Sequence, residues 1–167
     1  MTNPYEAGGY QSARYAFDPV RQPDLFDGVL SRRIVAFCID AFLVFVLTLP
    51  VVLMLALLGF VTFFLSWLLI GPSFALVALG YVALTLGGKA SATIGMRLAG
   101  VEMRTWSGAP LFPLLAVMHA LVFWLSVAAL TPFVLLVGLF TYRRQLLHDL
   151  LLGVVVLNAD GLHRVVR

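Results

Sequence analysis

From Ile34 to Gly88 only Asp40 carries a charge. An α-helix needs about 20 apolar residues to cross the roughly 30 Å hydrocarbon layer, so this stretch has room for two crossings. Gly59, Ser66, Trp67 and the Gly71-Pro72-Ser73 cluster fall around its middle. Turn-formers and an interfacial Trp belong there if the chain reverses at the far surface. The spacing predicts helices near 34–58 and 68–87. Composition agrees: 62% of the 167 residues are hydrophobic and 11% charged, where soluble domains carry roughly a quarter charged. A single cysteine, Cys38, excludes a disulfide scaffold. The net charge of +3 is spread along the chain and forms no basic face, which argues against a nucleic-acid partner.

The flanking segments are polar. Residues 1–33 hold scattered prolines, glycines and charges of both signs, which reads as a flexible cytoplasmic tail. It does not read as a secretory signal, because Glu6, Asp18, Asp24 and Asp27 precede an apolar stretch far longer than such signals use. The equal spacing of Tyr5, Tyr10 and Tyr15 is the pattern of a docking or phosphorylation segment, and also one that arises by accident. Residues 89–110 form a polar loop in which Leu98–Arg104 alternates like a strand. Val154–Leu157 and Leu162–Val166 have similar character, so a small cytoplasmic β-sheet at the membrane surface is expected, with 158–167 as a C-terminal tail.

Between Leu111 and Tyr142 the titratable groups are His119 and Tyr142 itself. One continuous helix here would be about 48 Å long, well beyond the hydrocarbon thickness. Thr131-Pro132 interrupts it, and proline breaks or kinks a helix. Arg14, Arg21, Arg32 and Arg33 precede the first crossing, and Lys89, Arg97 and Arg104 follow the second, with no cation in the hairpin between. The positive-inside rule then puts the N-terminus and the 89–110 loop in the cytoplasm of a bacterial cell, the chain being multi-pass in the inner membrane. Arg143, Arg144, Arg164 and Arg167 put the C-terminus inside as well. The stretch 111–142 is therefore expected to go in and return as helices 112–130 and 132–142. Three plain crossings with an external C-terminus are the alternative. The fold class is an all-α membrane protein, a small helix bundle with a possible small sheet.

Asp40 breaks the membrane rule. Arg33 lies seven positions earlier, on nearly the same helix face. A carboxylate at this depth costs several kcal/mol unless it is paired, hydrated or protonated. Asp149 follows Arg143 and Arg144 late in the chain, and if it returns to the first helix, one guanidinium can bridge both carboxylates. Pro50 lies beyond Asp40, where a kink would free carbonyls for a cation. Gly71, Ala75, Ala78, Gly80, Ala83 and Gly87 recur three or four apart, a face that lets another helix approach closely.

The run Ser31-Arg32-Arg33-Ile34-Val35-Ala36-Phe37-Cys38-Ile39-Asp40 resembles the opening of the RDD family of small bacterial membrane proteins, named for one arginine and two aspartates. Ala92-Thr93-Ile94-Gly95-Met96-Arg97-Leu98 resembles that family's T-L-G-K-R-L segment. Arg143-Arg144-Gln145-Leu146-Leu147-His148-Asp149 with Gly153-Val154-Val155-Val156 resembles its closing pattern. The match covers about 31–157, leaving out the N-terminal tail and taking in the whole of a transmembrane domain taken as 34–157. The resemblance implies Arg33, Asp40 and Asp149 as the signature positions, with Arg32, His119, His148, Arg143 and Arg144 as auxiliary candidates. Met96 stands where the family commonly has Lys. His119 stands where many members carry arginine, which would thin the charge network or make it pH-sensitive.

The chain has no GxGxxG, Walker loop, HExxH, CxxC or GxSxG, so no enzyme, cofactor or metal site is expected. Two readings of function follow. One is a small transporter or ion-handling component that uses the Arg/Asp/Asp set, assembled as a homo-oligomer among membrane lipids. The other is an accessory or scaffold protein that binds a membrane-protein partner, with the charge set purely structural.

Overall fold

The computed structural model describes residues 16–130, 141 and 143–165. Helix α1, Val29–Val61, dominates it. Gly28 at φ +65° turns the chain into the helix, a backbone conformation that glycine adopts without strain. At 1.5 Å per residue α1 is about 50 Å long, exceeding the hydrocarbon layer by about 20 Å. It starts five residues before the point the sequence predicts. The reason is packing: Val29 and Ala36 are buried among Leu86, Met96, Val101 and Met103, so the first turns lean on protein. The part from Asp40 to Val61, about 33 Å, suffices to cover a hydrocarbon layer by itself. Its outer face is apolar and exposed, with Phe42, Phe45, Leu53, Leu57 and Phe60. The helix runs through Pro50 without ending.

The chain reverses through a 3₁₀ turn, Leu65–Leu69, into α2, Ile70–Thr85. The reversal satisfies its own polar groups, as an apolar surround requires. Thr62 Oγ1 donates to Leu58 O and accepts from Ser66 N, while Ser66 Oγ donates to Leu55 O. Trp67 Nε1 donates to Ala56 O at 3.1 Å, and its indole occupies the space where a side chain on Gly59 would stand. Gly59 is thus a helix residue that admits the Trp ring, and Val44 packs with Ala78 and Tyr81 where the two helices meet.

A polar cap sits at the other end of α1. It comprises α3 (Ile94–Leu98), strand β1 (Val101–Thr105), the start of α4 (Pro113–Leu130), α5 (Leu147–Leu152), strand β2 (Val154–Asn158) and α6 (Ala159–Val165). β1 and β2 pair antiparallel, Val101 opposite Asn158 and Thr105 opposite Val154. Successive side chains of a strand point to opposite faces. Val154 and Val156 accordingly pack with Val29 and Ala36 of α1, while Val155 and Leu157 pack with Phe17, Leu25, Phe26 and Leu162. Both faces of β2 are covered, which is why four apolar residues run together in it.

The flanks differ from the sequence expectation. Residues 16–33, expected to be flexible, are anchored by Phe17, Leu25, Phe26 and Val29, and residues 159–165, taken as tail, form a helix. Leu162–Val166 was expected as a strand; through Val165 it is helical. Asn158 Oδ1 accepts from Asp160 N and so starts a helical turn where the ladder ends. The bend at Thr131-Pro132 and the helix expected over 132–142 fall outside the described residues, apart from Thr141. Beyond them the chain is back at the cap: β2 pairs with β1, and Asp149 meets His119 near the start of α4.

Candidate functional site

The three signature residues occupy two separate places. Arg33, on the second turn of α1, holds Asp149 of α5 through a planar fork: Nη1 donates to Oδ2 at 2.5 Å and Nη2 to Oδ1 at 3.1 Å. Asp149 is fully buried, and Leu146 N donates back to Oδ2 at 2.9 Å, so the carboxylate also caps its own helix. His119 Nε2 lies 2.8 Å from Oδ1 and His148 Nε2 lies 3.5 Å from it. The two imidazoles meet edge to face at 4.8 Å, with Phe123 against His148.

Burial alone would push the Asp149 carboxyl up. The Arg33 charge and the hydrogen bonds from His119 and Arg33 outweigh it and hold the group well below the usual carboxylate range. Burial pushes His148 down to about 4; Asp149 pulls it up, while His119 and Arg33 add to the lowering. His148 is therefore neutral near pH 7, and its Nδ1 is buried with no hydrogen-bond partner among the described residues.

Asp40 does not share Arg33, contrary to the expected bridge between two carboxylates. Its partners come from α2 and from the start of α3. Tyr81 OH donates to Oδ1 at 2.5 Å, Gly95 N to Oδ1 at 2.8 Å, and Thr93 Oγ1 to Oδ2 at 2.5 Å. Behind them, Ile94 N donates to the Tyr81 hydroxyl and Met96 N to the Thr93 hydroxyl. Three successive N–H groups of the first turn of α3 thus end on Asp40, one directly and two through a hydroxyl. The first N–H groups of any helix lack intrahelical acceptors, and a carboxylate from another helix supplies them here. Gly95 is required for the approach: a Cβ there would strike Ala36 O and stand 2.8 Å from the Asp40 carboxylate. Among the described residues Asp40 has no cation at ion-pair distance.

The auxiliary candidates divide likewise. His119 and His148 join Asp149. Arg32 Nη1 donates to Ala99 O at 3.2 Å and lies against Gly100, tying α1 to the turn before β1. Arg143 lines a cleft with Asp18, Trp106 and Gln145, and Arg144 is exposed at φ +53°. Arg144 has no hydrogen bond or ion pair to either cluster among the described residues. Tyr81, Thr93 and Gly95 were not singled out from the sequence as site residues. Thr93 and Gly95 stood inside the family-like run, whereas a tyrosine in an apolar helix gave no signal of its own.

A long apolar helical hairpin carrying a small polar cap, fastened by the partly buried Arg33 and Asp40 and the fully buried Asp149, defines a small helical membrane protein. The RDD family model matches residues 28–153, three quarters of the chain, and the chain belongs to the RDD family. It is a membrane protein of that family, with α1 and the 3₁₀–α2 unit long and apolar enough to cross a bilayer. No curated protein and no solved structure matches it.

Proposed function

We propose that the charge set is structural, forming two latches that seat the cap on the membrane helices, and that the protein serves as a membrane-embedded scaffold for a partner protein. The convergence of three α3 amides on Asp40 carries this reading. A carboxylate whose acceptors serve another element's orphan donors is committed to holding that element, and the Arg33 fork on Asp149 ties α5 to α1. Buried ion pairs are better attested as devices of specificity than of net stability. Arg32, Arg33, Lys89, Arg97, Arg104, Arg143 and Arg144 all belong to the cap or the helix ends beside it, and the hairpin at 62–69 has no cation. The positive-inside rule therefore favours a cap in the cytoplasm of a bacterial cell, with both termini inside.

A second reading, ion or proton handling by an oligomer, is favoured by one observation: the Asp40 carboxyl group has no cationic partner among the described residues. An ionisable group in a membrane helix is a functional-site hypothesis by default. Oligomerisation would use α2, where Gly71 and Gly80 face open space. Flux measurements on purified protein in liposomes separate the two. The scaffold reading expects wild-type flux equal to empty liposomes for H⁺, Na⁺ and K⁺, and less folded protein for Asp40→Asn. Cation flux that Asp40→Asn abolishes while the protein stays folded overturns it.

A further inference from the structure

We propose that His119, His148 and Asp149 form a binding site for a borderline divalent transition cation such as Zn²⁺, Co²⁺ or Ni²⁺, placed where α1, α4 and α5 meet. One ring nitrogen from each histidine and a carboxylate oxygen lie within 4.8 Å of one another. All three residues are buried, at 8%, 1% and 0% exposure. Tetrahedral zinc with bonds of about 2.0–2.1 Å sets its ligand atoms about 3.3 Å apart. The distances from Asp149 Oδ1, 2.8 Å to His119 and 3.5 Å to His148, bracket that value. Two imidazoles and one carboxylate suit zinc and its neighbours better than Mg²⁺ or Ca²⁺, which prefer all-oxygen shells.

His148 Nδ1 is buried without a hydrogen-bond partner among the described residues, as are Gln22 Oε1 and Arg104 Nε, so no hydrogen bond through that atom fixes the ring. The Asp149 carboxylate divides its duties: Oδ2 is held by Arg33 Nη1 and Leu146 N, while Oδ1 faces the two rings. On binding, Oδ1 loosens its 3.1 Å contact with Arg33 Nη2 and turns to the metal, so that Arg33 orients the ligand from behind. With two imidazoles and one carboxylate bound, the fourth position is open to water or an anion, which offsets part of the added charge. The site does not depend on whether the protein carries ions.

The test uses the full chain in lipid nanodiscs, stripped with a chelator and titrated with Co²⁺ or Zn²⁺ alone. The site predicts one saturable equivalent, an intense d–d absorption from bound Co²⁺, and a first shell of two imidazole nitrogens in X-ray absorption of the zinc-loaded protein. His148→Phe keeps a ring against His119 and Phe123 and should weaken binding at least tenfold. No saturable binding, unchanged binding by His148→Phe, or a first shell without two imidazoles each overturns the inference. If His148→Phe does not fold, the X-ray absorption of the wild-type protein decides.

Discussion

Two residues show how local demands become visible in the sequence. Gly95 is glycine because the Ala36 carbonyl and the Asp40 carboxylate occupy the space a Cβ needs, and a backbone carbonyl cannot move aside. Gly95→Ala should cost about 1–3 kcal/mol through overpacking. Gly80→Ala, facing open space, should change stability by no more than about 0.5 kcal/mol. Unfolding midpoints in matched detergent compare the two. His148 gives the pH dependence. Its ordinary value is 6.5 and the fold lowers it to about 4, so between these values the unfolded chain takes a proton that the folded one refuses. Stability from this group is full above about pH 6.5 and is lost as the pH falls toward 4. Asp149, held below the usual carboxylate range, adds a further loss at lower pH. Thermal unfolding of His148→Phe should lose the decline between pH 6.5 and 4 and keep the acid limb.

The elements were legible in proportion to how far their cause lay in the local sequence. The two long apolar helices follow from the uncharged run, because a membrane-crossing helix satisfies its backbone within itself. The β1–β2 sheet was foreshadowed by the alternation in one strand and the valines of the other. The early start of α1 was not legible, since Val29 is held by Met96, Val101 and Met103, which lie far along the chain. The strand expected at Leu162–Val166 failed for a local reason: Asn158 begins a helix, and a short apolar run cannot by itself choose between the two. Helix α3 is the element most dependent on distant residues, with five residues and its first amides supplied by Asp40, Tyr81 and Thr93. Tyr81→Phe and Thr93→Ala should each speed hydrogen exchange at Ile94 or Met96 by tenfold or more, with exchange in the middle of α1 unchanged. A hydrogen bond linked to a charged group is worth roughly 1.5–3 kcal/mol, enough for that change. Equal protection in wild type and variants would show that α3 stands without them.

At the scale of the whole molecule, the signature arginine and aspartates do not act as one triad. One latch joins α1 to α5, across more than a hundred residues of sequence, and the other joins α1 to α2 and α3. That the three residues matter together was visible from the scarcity of charge in the chain. That they divide into two clusters was not, because Arg33 and Asp40 share a helix face in sequence and only the packed partners separate them. Double-mutant cycles on unfolding in nanodiscs, pairing Arg33→Gln with Asp149→Asn and Asp40→Asn with Asp149→Asn, test the division most directly. Two latches predict a coupling energy above about 1 kcal/mol for Arg33 with Asp149 and additivity within about 0.5 kcal/mol for Asp40 with Asp149. Comparable coupling in both cycles, or none between Arg33 and Asp149, would contradict it.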